Sequence, residues 1–298
     1  MLRLATRRSQ LAVWQAEHVA GLLRRAHPGV EVELVTMTTE GDRRLDVPLS
    51  TIGGKGVFAT EVQAALFDGR ADLAVHSAKD LPAVTGDGLV LAAVPERGDP
   101  RDALVGARLD ELAPGAVVAT GSARRRAQLA HLRPDLTFAE LRGNMATRLA
   151  KADEFDAIVV AAVAFERLGL AEHLSHVLDV DRFVPQVAQA ALAVECRADD
   201  DATAALLGAI EHTPSRRRVD AERAFLAELG GDCTLPAGAH AVLADDGVLT
   251  LRAVLASDVG GSILYDEASI PDAADAAAVD RLGRSLAARL RARLEAPT

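Results

Sequence analysis

The 298-residue sequence predicts an α/β protein that closes on a smaller α+β segment. Three observations predict it. From residue 2 to about residue 211, short apolar runs such as Ala71–Val75 alternate with longer runs of helical spacing, which is the pattern of strands buried in a largely parallel sheet. From Thr213 the style changes to one helix, three strands of alternating polarity and a final helix, which marks a separate layer. Hydrophobic residues make up 49% of the chain without any low-complexity tract, enough for more than one core, and the length points to two or three domains.

The elements follow in order. Leu2–Thr6 reads as a strand, and Ser9 as the N-cap of a helix to about Arg25. Glu31–Thr38 alternates as a strand. Thr39–Gly56 (TEGDRRLDVPLSTIGGKG) has no periodicity, and so long a loop in a compact domain is usually a lid or a disordered segment. Val57–Phe67 has helical spacing and feeds the strand Ala71–Val75, and Leu89–Pro95 is another strand. ERGDPRD then breaks the pattern and sets the first domain boundary. Strands at Ala116–Ala119, Leu136–Leu141 and Asp156–Ala162 alternate with helices at Ser122–Leu132 and Asn144–Ala152. Gln186–Arg197 gives one more strand-like run, followed by a helix to about Glu211. The last segment reads as a helix Pro214–Leu229, strands Ala239–Leu243, Leu249–Ala256 and Ser262–Ile270, and a helix to Leu294.

Charge and composition exclude several classes. The net charge is −10 and aromatics are 3%, a poor match to a nucleic-acid backbone. Met1–Thr6 already reads as strand and no apolar run approaches the length of a membrane span, so the expectation is a cytoplasmic protein. Cys196 and Cys233 form no disulfide framework and lack metal-ligand spacing. Cys196 reads as a core residue of ALAVECR.

Two features carry chemistry. In GRADLAVHSAKDLP, His76, Ser77, Lys79 and Asp80 fall at the carboxyl end of a strand, where open α/β sheets bind ligands. A polar strand end is also what a turn needs structurally, and the histidines, His76 included, read as structural. The second feature is arginine at helix starts: Arg7 and Arg8 before Ser9, Arg124–Arg126 after Ser122, and Arg142 and Arg148 around Asn144. Cations there oppose the helix dipole by roughly 0.3–1 kcal/mol each. Three such turns in an acidic chain point to a bound anion, carboxylate or phosphate, unless the side chains turn aside to nearby acids. Neither a Walker loop nor a dinucleotide fingerprint is present.

LATRRSQLAVWQA, GGKGVFATEVQAAL, ADLAVHSAKDLP, ERGDPRDAL, VATGSARRRAQL, LRGNMATRL, VPQVAQAALAVECR and AERAFLAELGGDC, in this order, resemble the porphobilinogen deaminase (hydroxymethylbilane synthase) family over nearly the whole chain. The resemblance implies an enzyme that joins four porphobilinogen units head to tail with loss of ammonia, on a dipyrromethane cofactor bound by a thioether. It implies two periplasmic-binding-protein-like lobes with mixed sheets and a third, smaller domain: residues 1–95 with about 190–208, 99–185, and 213–298. The cofactor cysteine falls on Cys233 and the catalytic aspartate on Asp80. Lys79, Thr120, Ser122, Arg124, Arg125, Arg142 and Arg148 fall on cofactor-binding positions. Arg7, Ser9, Phe58, Arg167 and Gln189 fall on substrate-binding positions, and Lys55 lies in the lid. Arg126 lies outside the pattern and is assigned to the surface. A monomer without nucleic-acid or membrane partner is implied.

Departures from the family pattern are Ala188-Gln189-Ala190 for Gly-Gln-Gly, Gly121 for serine, Asp232 for glycine and Gln10 for proline. An alanine forced to positive φ costs on the order of 1–2 kcal/mol. Asp232 disfavours the Cys233 thiolate. These changes keep open a turnover-impaired paralogue, and the two-lobed fold keeps open a cytoplasmic anion-binding module.

Overall fold

The computed structural model describes residues 1–39, 59–230, 235–257 and 261–296. Lys55, Phe58, Asp232, Cys233 and nearly all of the expected lid lie outside the described residues. Backbone contacts divide the chain into two units, Met1–Gly98 with Ala190–Arg216, and Asp99–Gln189 with Arg217–Thr298.

The chain begins with β1 (Leu2–Arg7), α1 (Gln10–Ala26) and β2 (Val32–Met37), then α2 (Thr60–Phe67), β3 (Leu73–Ser77) and β4 (Leu89–Ala93). α1 starts at Ser9, whose Oγ accepts the Ala12 N–H at 3.3 Å. It buries a single stripe of Ala12, Ala16, Val19, Ala20 and Leu23 on the sheet. In the second unit follow β5 (Asp102–Val105), β6 (Val117–Ala119), α3 (Ala123–Leu132) and β7 (Thr137–Ala139). Then come α4 (Met145–Ala150), β8 (Ala157–Ala161), α5 (Ala162–Arg167) and β9 (His176–Val177). β10 (Leu192–Arg197) and α6 (Asp201–Gly208) belong to the first unit. α7 (Thr213–Glu228), β11 (Ala237–Leu243), β12 (Leu249–Ala256), β13 (Ile263–Ile270) and α8 (Ala276–Glu295) complete the chain.

Among the described residues the first sheet runs β2-β1-β3-β10-β4 and the second β7-β6-β8-β5-β9. The two orders are equivalent. β1, β2 and β3 are mutually parallel, as are β6, β7 and β8, and in each sheet the fourth strand, β10 or β5, runs antiparallel to its neighbours. These are two periplasmic-binding-protein-like lobes with mixed sheets. Leu4, Ala5, Leu73 and Ala74 in the first, and Ala157–Val160 in the second, are fully buried, as parallel strands covered on both faces must be. β11, β12 and β13 form a separate antiparallel sheet, the core of the smaller α+β domain.

β5, β9 and α5 were not anticipated. β9 is two residues long, and β5 begins at the last residue of ERGDPRD, the break that set the domain boundary. α5 leaves β8 at Ala161 without a side-chain cap, so no polar residue announces it.

Candidate active site

In the first unit, two neighbouring parallel strands end together. β1 ends at Arg7, and β3 ends at Ser77 and passes into a single 3₁₀ turn, Ala78–Asp80. The turn is tied to the sheet because the Ala78 N–H donates to the Ala191 carbonyl at 3.0 Å. Arg7 Nη1 thereby comes to 3.9 Å from Asp80 Oδ2, with side chains 21% and 31% exposed. The carboxylate is thus half-sheltered next to one cation, at the carboxyl end of the sheet. Lys79 and Ser9 are also half-buried there. Behind them Gln15 Nε2 reaches Ser77 Oγ at 3.5 Å. His76 is buried one residue before, its Nε2 at 3.2 Å from the buried carboxylate of Glu195, which also accepts from Gln63 at 2.8 Å. This places His76 in the sheet interior.

In the second unit the corresponding strand ends carry the arginines. Thr120 follows β6, fully buried, and its Oγ1 accepts the Ser122 N–H at 3.3 Å. Ser122 caps α3 through the Arg125 N–H at 3.4 Å. The first turn of α3 then drives Arg124 and Arg125 inward to Asp102, at the start of β5, which is 0% exposed. Arg124 Nη2 donates to Oδ2 at 2.7 Å, and Arg125 donates to Oδ1 from Nε at 3.0 Å and from Nη2 at 2.6 Å. Gln189, also fully buried, adds its Nε2 at 3.0 Å and reaches the Pro100 carbonyl at 2.7 Å. Burial alone would raise the Asp102 carboxyl, but Arg124 and Arg125 outweigh it and hold the group well below the usual carboxylate range. Among the described residues two guanidinium groups face this one carboxylate, shielded from water. Arg124 Nε is buried and, among the described residues, has no hydrogen-bond acceptor.

Arg124, Arg125 and Gln189 were expected to face a ligand. Within the protein they meet at an internal acid, Asp102. Asp102 opens the apolar run DALV, and a carboxylate at the head of a buried strand, next to two arginine-rich turns, was the available signal. Arg126, assigned to the surface, is only 22% exposed: its guanidinium holds the Thr120 carbonyl at 2.8 and 3.0 Å and Glu140 at 2.6 Å.

The remaining positions are half-buried. Arg142 lies between β7 and α4. Arg148 Nε donates to the Gly143 carbonyl at 2.9 Å. Gly143 has φ +112, and a Cβ there would lie 2.7 Å from Thr147, so the turn that sets Arg148 requires glycine. Arg167 ends α5, and burial pushes its pKa down to about 10. It remains a cation at neutral pH. Ala188 and Ala190 both sit at positive φ, 57° and 71°. Alanine therefore keeps a left-handed turn, held by the buried Glu222, whose Oε2 accepts the Ala188 N–H at 2.7 Å.

Fold and site define a two-lobed α/β protein with arginine-rich turns at the strand ends. Residues 2–205 match the family domain described as "Porphobilinogen deaminase, dipyromethane cofactor binding domain", and residues 216–292 match "Porphobilinogen deaminase, C-terminal domain". The chain is 48% identical over 294 residues to the porphobilinogen deaminase of Nitratidesulfovibrio vulgaris, covering 97% of this chain and 93% of that protein. It is 50% identical over 292 residues to that of Chromobacterium violaceum, covering 96% and 93%, and 46% identical over 293 residues to that of Syntrophotalea carbinolica, covering 97% and 93%. The chain belongs to the porphobilinogen deaminase family, whose members are transferases of tetrapyrrole biosynthesis.

Proposed function

We propose that the chain joins four porphobilinogen molecules head to tail, releasing ammonia each time, in the hydroxymethylbilane synthase reaction. The observation that carries the reading is identity of 46–50% over nearly the full length of three porphobilinogen deaminases. The donor set described above fits the dipyrromethane cofactor. Carboxylate side chains suit a buried triad with two guanidinium groups and an orphan Arg124 N–H. In the second unit Thr120, Ser122, Arg124, Arg125, Arg142 and Arg148 would hold cofactor carboxylates. In the first unit Lys79 has the same role, and Cys233 would form the thioether. When bound, the cofactor supplies the nucleophilic pyrrole carbon on which the chain starts.

The protein's own part is electrostatic. As the aminomethyl C–N bond of porphobilinogen breaks, the electron pair leaves with ammonia and positive charge remains on the pyrrole. The Asp80 carboxylate stabilises that charge, more strongly in a half-sheltered site than in water. It also takes up the proton that the pyrrole ring sheds once the new carbon–carbon bond has formed. Arg7 and Ser9 orient substrate carboxylates from the neighbouring strand end. Arg167 and Gln189 are further substrate-side positions, Gln189 acting through Asp102. Phe58 and Lys55, which lie outside the described residues, take their roles, beside the pyrroles and in the lid, from the family resemblance alone. The protein works as a cytoplasmic monomer; no helix among the described residues is long and apolar enough to cross a membrane.

Intact-protein mass tests the reading. Protein made in a porphobilinogen-producing host should be heavier than its sequence by two linked pyrrole units, and Cys233→Ala should remove the increment. An unmodified mass together with no ammonia release from porphobilinogen overturns it.

A further inference from the structure

The second unit carries another gathering of cations, at the opposite end of its sheet. α3 has ten residues, so Arg133 at its carboxyl end stands about 15 Å along the helix axis from the Ser122 turn. The loop after β5 comes to the same end, because β5 runs antiparallel to β8. So does His176 on β9, which pairs with Leu104. Together with Arg108 and Arg182 they line a cavity of about 310 Å³, against Leu109 and Leu132. That is the lower end of the range for small-molecule sites.

The cavity is braced before any ligand arrives. Arg133 is pinned by its donors: Nε and Nη2 to Asp135 at 2.8 and 2.7 Å, Nη1 to the Leu109 carbonyl at 2.6 Å, and Nη2 to the Leu112 carbonyl at 2.8 Å. His176 Nδ1 accepts the Leu109 N–H at 3.2 Å, which leaves the ring proton of the neutral imidazole on Nε2 as a donor. Gly106, at φ +111, lies so close to Asp156 that a Cβ would come within 2.7 Å of its carbonyl oxygen, which fixes where the loop departs.

Asp135 is fully engaged with Arg133, and the other acids nearby are loosely engaged. Asp110 lines the cavity, but Arg108 Nε stands 3.4 Å from it and 3.8 Å from the exposed Glu111, a contact that water weakens. Arg182 is exposed, and among the described residues its guanidinium makes no ion pair. Asp135 neutralises Arg133, so Arg182 and the loosely held Arg108 are the cations left to meet a ligand, in a chain of net charge −10.

We propose that this cavity binds a small organic oxyanion, with Arg108 and Arg182 as its charge partners, His176 Nε2–H as a directed donor and the two leucines against its apolar body. A phosphate ester and a carboxylate share that chemistry. The site is independent of the porphobilinogen reading and stands or falls apart from it.

Titration of the full-length protein with phenyl phosphate, phthalate and inorganic phosphate at constant ionic strength tests the proposal, followed by the Leu109 amide and His176 ring resonances. Saturable binding of phenyl phosphate or phthalate with Kd of about 1 mM or tighter is expected, and whichever of the two binds more tightly identifies the class. Arg182→Ala should weaken it by about tenfold, the loss of one charge-assisted hydrogen bond, with porphobilinogen turnover unchanged. Absence of saturable binding, equal affinity for inorganic phosphate and the aryl ligands, or unaltered affinity in Arg182→Ala overturns the proposal.

Discussion

Replacing Asp102 by asparagine removes one charge from a triad that is at least nine-tenths buried at every member. Four hydrogen bonds of 2.6–3.0 Å converge on its carboxylate, three of them from guanidinium groups. Asparagine keeps the volume but turns a donor toward one of these cations and leaves both without a counter-charge. Removing one partner of a buried ion pair costs about 3–5 kcal/mol, and that loss of unfolding free energy is expected in urea at pH 7. The pH dependence has a definite sign. The Asp102 carboxyl is lowered in the folded state, so its contribution is fully present above its unfolded pKa, near 4, and is lost as pH falls below it. At pH 3 the wild type should already have lost roughly 1 kcal/mol from this group alone, because the unfolded chain gains a proton and the folded one does not. Asp102→Asn should lack that share of the acid loss. A deficit below about 1 kcal/mol at pH 7, or an unchanged acid profile, refutes the triad as a major support of the second unit.

Ala188→Gly relieves about 1–2 kcal/mol of left-handed strain, but loses a buried methyl worth about 0.8 kcal/mol and frees the unfolded chain by about 0.4–1 kcal/mol. Unfolding free energy should therefore stay within about 1 kcal/mol of wild type, whereas Ala188→Val, branched at φ 57° and fully buried, should lose about 2 kcal/mol or more by the same denaturation assay. Arg148→Leu should lower the fraction of protein carrying the cofactor mass while the melting temperature moves by no more than about 2 °C. A steep loss of melting temperature with normal loading would mean that Arg148 is a structural ion partner.

Much of this organisation was legible in the sequence. The runs LRLATR and ADLAVHS announced their strands through apolar residues between turn signals, and Ser9, Ser122 and Asn144 all cap the helices they precede. What did not show was the destination of the arginines. Cations at a helix start predict an anion, yet the linear sequence cannot say whether that anion is a ligand or a carboxylate from a strand 22 residues earlier, as Asp102 is to Arg124. The left-handed turn at Ala188 showed only through the glycines of the family pattern, since alanine itself gives no sign of positive φ. Glu222 holds it from 34 residues away. β5 begins inside ERGDPRD, which reads as a boundary loop, and so the acid at its head went unread.

In the proposed mechanism Asp80 does the electrostatic work of the reaction while the arginines hold carboxylates. Ammonia release from porphobilinogen by Asp80→Ala, measured on protein whose mass shows the cofactor still attached at Cys233, tests it most directly. A fall of about 10²–10⁴ in turnover with loading and melting temperature retained is the predicted result. Turnover near wild type in that loaded variant would contradict the account.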